Sequence, residues 1–139
     1  MIRAGATFWI KYHSSRHHLY FAVTSARTAD DPVLLVNATT RRDTSDTTCV
    51  ILPNEHPRIK NESVIEYGRA IVCRARDLVE LPSVWPDLYC RAEDASLSLL
   101  RRIQDGGLLS PRLAEKHRQL LLSELSYDGG FSLEEAPAG

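Results

Sequence analysis

The stretch Val33-Leu34-Leu35-Val36-Asn37-Ala38-Thr39 decides the fold class, because most of its residues are apolar and several are β-branched. A short run of this kind, preceded by the break Asp30-Asp31-Pro32, is typical of a strand that is buried on both faces. Leu19-Tyr20-Phe21-Ala22-Val23-Thr24 and Thr7-Phe8-Trp9-Ile10-Lys11-Tyr12 have a similar composition and lie just upstream. The chain therefore begins with three predicted strands of one buried sheet.

Shorter strands continue the pattern after a polar loop at residues 41–46. Cys49-Val50-Ile51-Leu52 predicts a fourth strand, residues 63–67 an extended segment, and Ala70-Ile71-Val72-Cys73 a fifth strand. Five or more short strands with tight connections are typical of a small barrel or rolled sheet, which also removes exposed edges. We expect such a β-barrel over about residues 5–75.

The last third of the chain changes to a helical period. An apolar stripe with a spacing of three residues is formed by Leu97, Leu100 and Ile103. It predicts a helix over about residues 94–105, with Asp94 as N-cap and Gly106-Gly107 at its end. Ser110-Pro111 then predicts the start of a second amphipathic helix, over about residues 111–125.

The 139 residues are enough for one domain with its own core. We place this domain at residues 1–127 and expect residues 128–139 to form a flexible tail. The predicted fold class is mainly β (α+β), a small barrel followed by two C-terminal amphipathic helices.

The formal net charge is −1 and the sequence pI is about 6.5. The chain as a whole therefore has no basic field that attracts nucleic acid. Binding of RNA or DNA requires a local patch of cations, and residues 41–76 supply arginine and lysine side chains for one.

Cysteine and histidine spacing points away from metal sites. The three cysteines are Cys49, Cys73 and Cys90. Their odd number and wide spacing predict neither a disulfide framework nor a zinc ribbon. His13, His17 and His18 lie on a predicted turn and strand, where neighbours point to opposite faces, so we expect no metal ion and no other cofactor.

Hydropathy predicts a protein that does not enter a membrane. No apolar run in the sequence approaches the length of a membrane span. The N-terminus has no charged segment followed by a long apolar one, as a secretory signal has. We expect a cytoplasmic protein.

A series of motifs along the chain resembles a known family. These motifs are Gly5-Ala6-Thr7-Phe8-Trp9-Ile10, His18-Leu19-Tyr20-Phe21, Val36-Asn37-Ala38-Thr39-Thr40, His56-Pro57-Arg58-Ile59-Lys60, Ser63-Val64 and Tyr67. In this order they resemble the PemK/MazF-like toxins of toxin–antitoxin modules, and within them the subgroup that has an H-P-x-I-K loop. The resemblance covers roughly residues 5–110.

The resemblance implies a fold, an activity and partners. Family members are small SH3-like barrels with appended helices, usually homodimers. Many are metal-independent endoribonucleases that a cognate antitoxin holds inactive. The resemblance thus implies that single-stranded RNA is the substrate.

Two catalytic positions of the family can be matched to this chain, one by the same residue type and one by a different residue type. The catalytic threonine of the family closes a strand that ends in a pair such as T-T, and Thr40 matches it here, with Thr39 as its neighbour. The catalytic arginine of the family stands at the start of the second strand. His18 holds that place in this chain, with Arg16 and His17 just upstream.

Cleavage of RNA without a metal ion needs a base for the 2′-OH, an acid for the leaving 5′-oxygen and fixed donors on the phosphate. The residue types in these motifs can supply all three. The predicted catalytic residues are His18, Thr40, His56 and Lys60. The predicted RNA-binding residues are Arg41, Arg42, Arg58, Ser63 and Tyr67.

Other interpretations of the same residues remain open. His56 precedes a proline and also suits a residue that braces a turn, and Arg58 and Lys60 also suit a solvated loop. With His18 at the place of the arginine, the domain suits a non-catalytic module that binds nucleic acid or a partner protein. The leucine stripes of residues 97–125 either pack on the barrel or contact another protein.

Overall fold

The computed structural model of this chain describes residues 2–11 and 16–138, with side chains as far as Ser126. Within these residues it is an α+β protein with a seven-stranded antiparallel sheet and three α-helices, so the predicted α+β class is confirmed. The strands are β1 (Thr7–Ile10), β2 (His18–Ala22), β3 (Pro32–Thr40), β4 (Val50–Ile51), β5 (Ser63–Ile65), β6 (Ile71–Arg74) and β7 (Tyr89–Ala92). The helices are α1 (Ala75–Val84), α2 (Leu97–Leu109) and α3 (Glu115–Ala138), and a 3₁₀ turn at Tyr67–Arg69 precedes β6.

The strand order is β4-β5-β3-β2-β1-β7, and β6 also pairs with β3. The long strand β3 has two partners on one side, since residues 32–35 pair with β6 and residues 38–40 pair with β5. Among the described residues no pairing joins β4 to β7, so the sheet is open where the sequence predicts a barrel or a rolled sheet.

Both faces of β2 and β3 are covered, as their nearly continuous apolar sequences predict. On one face, Phe21 and Val36 belong to a core cluster that includes Leu99 and Ile103 of α2 and Leu121 of α3. The other face belongs to a second cluster, which includes Phe8, Tyr20, Leu35 and Leu78. Each large apolar side chain buried in this way contributes roughly 1.5–3 kcal/mol. The two clusters fix the central strands that position the site.

Helix α2 begins later than the sequence predicts. Its N-cap is Ser96, whose Oγ accepts a hydrogen bond from the backbone N–H of Leu99 at 3.2 Å. Asp94 lies outside the helix and pairs with Arg91 at 2.7 Å. The prediction of Asp94 as N-cap is therefore wrong, because the serine two residues later satisfies the helix and the aspartate has a cation close by.

Gly106 and Gly107 lie inside α2 and do not end it. Tertiary packing overrides their helix-breaking tendency. The hydroxyl of Tyr67 donates to the backbone oxygen of Ile103 at 2.6 Å and occupies the space that a Cβ at Gly106 would need. A Cβ at Gly107 would lie 2.7 Å from Leu121 Cδ2. These glycines are thus required by the close approach of two neighbouring side chains.

Helix α3 begins at Glu115 and not at the predicted position 111. Ser110 does not cap it, because its Oγ donates to the Asp46 carboxylate at 2.5 Å and accepts from the backbone N–H of Arg112 at 3.1 Å. The expectation of a flexible tail over residues 128–139 stays a prediction. Within the described residues, no helix has the length and apolar character that a membrane span requires.

Candidate nucleic-acid interface

The face of the sheet that carries the second core cluster becomes polar at one end. In the antiparallel pairing of β2 with β3, Tyr20 lies opposite Asn37. Because the two strands run in opposite directions, the start of β2 at His18 lies beside the end of β3 at Thr40. A polar edge therefore forms where the apolar sequence of both strands stops.

A cleft lies at this edge, and we call it the basic cleft. Its narrow part has a volume of about 270 Å³ and its wide part about 630 Å³. The side chains that line both parts are Arg16, His18, Thr39, Thr40 and Arg42. The two parts are thus neighbouring compartments of one surface.

The charge of the basic cleft differs from that of the chain as a whole. Its arginine and lysine side chains are Arg16, Arg42, Arg58, Lys60, Arg69 and Arg112. Among the described residues that line it, the one carboxylate is Glu66, which lies 3.6 Å from Arg112. Clefts lined by one sign of charge concentrate oppositely charged ligands. A chain of net charge −1 therefore has a strongly cationic surface where β2 begins and β3 ends.

His18 lies half-buried between the two parts of this cleft. Burial lowers its pKa below the ordinary value, and the positive charges of Arg16 and Arg69 lower it further. Each of these effects favours the neutral imidazole. A neutral histidine at the centre of a cationic cleft is suited to accept a proton near neutral pH.

The structure places His56 apart from the cleft, in the core. The side chain is 1% exposed and its ring lies edge-on to Phe21. Its Nδ1 accepts a hydrogen bond from the backbone N–H of Arg58 at 3.0 Å. Its Nε2 therefore carries the proton and donates to the backbone oxygen of Glu93, 2.5 Å away. Both ring nitrogens are occupied, and they brace the loop before Ile59.

The other predicted residues of this loop line the narrow part of the cleft. Lys60 and Arg58 are exposed there, and Arg58 lies over the ring of Trp9 at 5.4 Å from its centre. Ser63 lines the same part, and its hydroxyl donates to the backbone oxygen of Asn61 at 2.8 Å. The H-P-x-I-K loop thus gives its two cations to the cleft and its histidine to the core.

Arg41 and Tyr67 lie outside the two parts of the cleft. Arg41 pairs with Glu62 at 2.7 Å on the adjoining exposed loop. Tyr67 is 1% exposed and packs in the core. Burial raises the pKa of its hydroxyl well above the usual range. The phenol thus stays a neutral donor for α2.

Arg69 and Arg112 line the wide part of the cleft, and the sequence motifs do not include them. Arg112 also donates to the backbone oxygen of Thr44 at 3.1 Å and so fastens the loop after β3. These arginines come from the 3₁₀ turn and from the connection between α2 and α3. No local spacing relates either of them to His18, so only the tertiary fold brings them together.

Asn37 is a third member of the wide part that the motifs leave without a role. A polar residue in an otherwise apolar stretch of β3 is the one sequence signal that marks this position. His13, named above among the histidines, lies outside the described residues. No protein-family model matches this chain, and neither a curated protein nor a solved structure matches it.

Proposed function

We propose that this chain is a PemK/MazF-like toxin of a toxin–antitoxin module, and that it cleaves cytoplasmic single-stranded RNA without a metal ion. The observation that carries the proposal is the basic cleft, in which His18 and Thr40 lie among six cations. The ordered motifs of the sequence support it independently. The two strands that share one side of β3, β5 and β6, are also consistent with a sheet that rolls toward the SH3-like form of that family.

The cleft suits a single strand of RNA because cations line the cleft and negatively charged phosphates repeat along the RNA. Arg58 and Lys60 lie in the narrow part, and Arg69 and Arg112 in the wide part. Lysine and arginine contacts to phosphate supply affinity that falls as salt rises. We place the scissile phosphate between the two parts, beside His18.

The reaction follows from the residue types at this point. Neutral His18 takes the proton of the ribose 2′-OH, and the 2′-oxygen forms a bond to phosphorus. The bond from phosphorus to the 5′-oxygen breaks, and the Lys60 ammonium gives that oxygen a proton. Arg16 and Arg42 offset the charge on the non-bridging oxygens, to which the Thr40 hydroxyl also donates. The products are a 2′,3′-cyclic phosphate and a 5′-hydroxyl.

In this mechanism the predicted catalytic residues have different roles. Arg16 supplies the cation of the family arginine, while His18 at its place becomes the base. His56 is left with a structural part, since both ring nitrogens have backbone partners. A homodimer and a cognate antitoxin remain part of the proposal on the resemblance alone.

Incubation of the purified protein with mixed-sequence single-stranded RNA in EDTA tests the proposal. We expect discrete fragments that end in 2′,3′-cyclic phosphate. Lys60→Gln should lower the rate about 100-fold or more, since it removes a general acid. Lys116→Gln on exposed α3 is the matched control and should cleave like the unmodified chain. Equal cleavage by both variants would show that the activity does not come from this cleft.

A second candidate function is binding without cleavage, and the histidine at the place of the family arginine favours it. In this case RNA stays intact in EDTA but binds, with an affinity that falls steeply between about 50 and 200 mM salt. Arg42→Gln, which removes a cation shared by both parts of the cleft, should then reduce the salt dependence. Binding that does not respond to salt would count against any phosphate-binding surface here.

A further inference from the structure

Asn37 differs from the other buried amide side chain of the core. It is 4% exposed, and its Oδ1 has no hydrogen-bond partner within the described part of the chain. Gln104 is 2% exposed, but its Nε2 donates to the backbone oxygen of Val23 at 3.0 Å. Buried polar groups are nearly always paired, so the oxygen of Asn37 requires an explanation.

The position of Asn37 suggests an explanation for its unpaired oxygen. A buried acceptor without a partner lowers the stability of the fold. Asn37 pays this cost at a site that lines the wide part of the basic cleft, where a ligand can approach. Oδ1 is buried in this conformation, and because the terminal torsion of the amide is broad and roughly two-fold, a half-turn exchanges the positions of Oδ1 and Nδ2. The amide is thus placed to bond a group that enters from the cleft.

The neighbours of Asn37 define what that group is. Glu66 lines the same compartment with a second acceptor, and its backbone N–H donates to the backbone oxygen of Asn37 at 2.8 Å. Tyr20 lies directly across the strand pair and is 5% exposed. Arg69 and Arg112 stand at the wall. Two acceptors and two planar guanidinium groups suit a flat, uncharged ring that presents N–H groups.

We propose that the wide part of the basic cleft holds one unstacked nucleobase that carries an exocyclic amino group, and that Asn37 accepts a hydrogen bond from that group. The inference rests on the proposed function, because it assumes that the cleft binds single-stranded RNA. A volume of about 630 Å³ lies within the range of about 300–1,000 Å³ that is usual for small-ligand pockets. The base preference of the protein is thereby assigned to this compartment.

Uracil is the base that this compartment disfavours. Its single N–H lies between two carbonyl oxygens, which repel the acceptors that Asn37 and Glu66 contribute to this compartment. Adenine and cytosine present an amino group to the amide oxygen and a ring nitrogen to the amide N–H. A well-made pair of bonds of this kind discriminates by about 1–3 kcal/mol, which corresponds to roughly 5- to 150-fold in affinity.

The test uses binding, so that cleavage does not enter it. The probes are labelled octamers of 2′-fluoro uridine, either uniform or with one central adenosine or cytidine, because they lack the attacking hydroxyl. We expect the chain to bind the substituted octamers about tenfold more tightly than the uniform one. Asn37→Leu should remove this preference, because the substituted octamers should then bind no more tightly than the uniform one. Asn37→Ser, which is smaller and cannot reach, should do the same.

Gln104→Leu is the matched control, because it alters a buried amide that has a partner and lies outside the basic cleft. It should lower the melting temperature and keep the base preference, whereas Asn37→Leu should keep or raise the melting temperature. Asn37 variants that fold and retain the preference would overturn the inference. Salt-dependent binding without any base preference would also overturn it while leaving the proposed function intact. No binding of any octamer would remove both.

Discussion

Two histidines of this chain occupy opposite environments. His18 starts a central strand and lines a cationic cleft, where burial and then Arg16 and Arg69 lower its pKa. His56 lies in the core with a backbone donor on one ring nitrogen and a backbone acceptor on the other. The first has a lowered pKa at the surface of an open cleft. The second holds a loop in place.

The difference shows that a motif locates a loop better than it assigns its residues. The H-P-x-I-K sequence draws attention to His56, but the histidine turns inward and its neighbours Arg58 and Lys60 turn outward. The residue that we propose as the base is His18, which comes from a strand 38 positions earlier in the sequence. Substitutions at the two histidines should therefore fail in different ways.

The largest expected effect is the loss of RNA cleavage in His18→Gln. Removal of a general base lowers rates by about 10²–10⁴-fold, while a half-buried side chain at a strand start contributes little to folding. The rate of cleavage in EDTA and the melting temperature measure the two effects separately.

His117→Gln is the control for this prediction. His117 also has a pKa lowered by burial and then by Lys116, but it lies on α3 and outside the cleft. It should cleave RNA like the unmodified chain. If the two variants lose activity equally, the low pKa of His18 has no special part in the reaction.

His56→Phe should act on stability, with a smaller effect on cleavage. Phenylalanine fills most of the space of the imidazole, but it leaves the N–H of Arg58 without its partner. A buried group left unpaired costs about 1–3 kcal/mol, and we expect the free energy of unfolding in urea to fall by that amount. The backbone oxygen of Glu93 keeps the hydroxyl of Thr7 as a donor. Unchanged stability with cleavage more than 100-fold slower would show instead that His56 reaches the RNA.

The strands around the cleft were accessible from sequence because local composition determines them. Residues 19–22 of β2 and 33–36 of β3 are all apolar, and the structure buries them on both faces. β7 was missed, because it is four residues long, contains Arg91 and follows a segment with proline. It forms only through its pairing with β1, about 80 residues away in the chain.

Dependence on partners that are distant in the sequence also limits how much of the candidate site can be predicted. The sequence predicts Thr40 and Lys60 as neighbours of a phosphate only through a motif, and it gives Arg69 and Arg112 no role at all. The sequence also predicts a helix end at Gly106-Gly107. The glycines are explained instead by the packing of Tyr67 and Leu121 against them, which is a tertiary effect. Residues set by local pattern are predictable, and those set by distant partners are not.

The smallest expected effect is a shift in the pH profile of cleavage. Because the proposed base is neutral His18, activity should fall as the pH drops through its pKa, which lies below the ordinary value. Arg69→Gln removes a nearby positive charge, so the pKa of His18 should rise and the acid limb of kcat/KM should move to higher pH. Arg16→Gln should move it further, because Arg16 lowers this pKa more than Arg69 does.

Arg101→Gln on the exposed side of α2 is the control and should leave the limb in place. Low salt is the right condition, since salt screens exposed charges and would hide the shift. An acid limb that moves to lower pH in Arg69→Gln, or that is unchanged in both cleft variants, would mean that His18 is not the group that titrates. The shift of the acid limb should be larger in Arg16→Gln than in Arg69→Gln if His18 is the base. A general loss of RNA affinity gives no such shift, because weaker binding alone lowers kcat/KM at every pH without moving the limb.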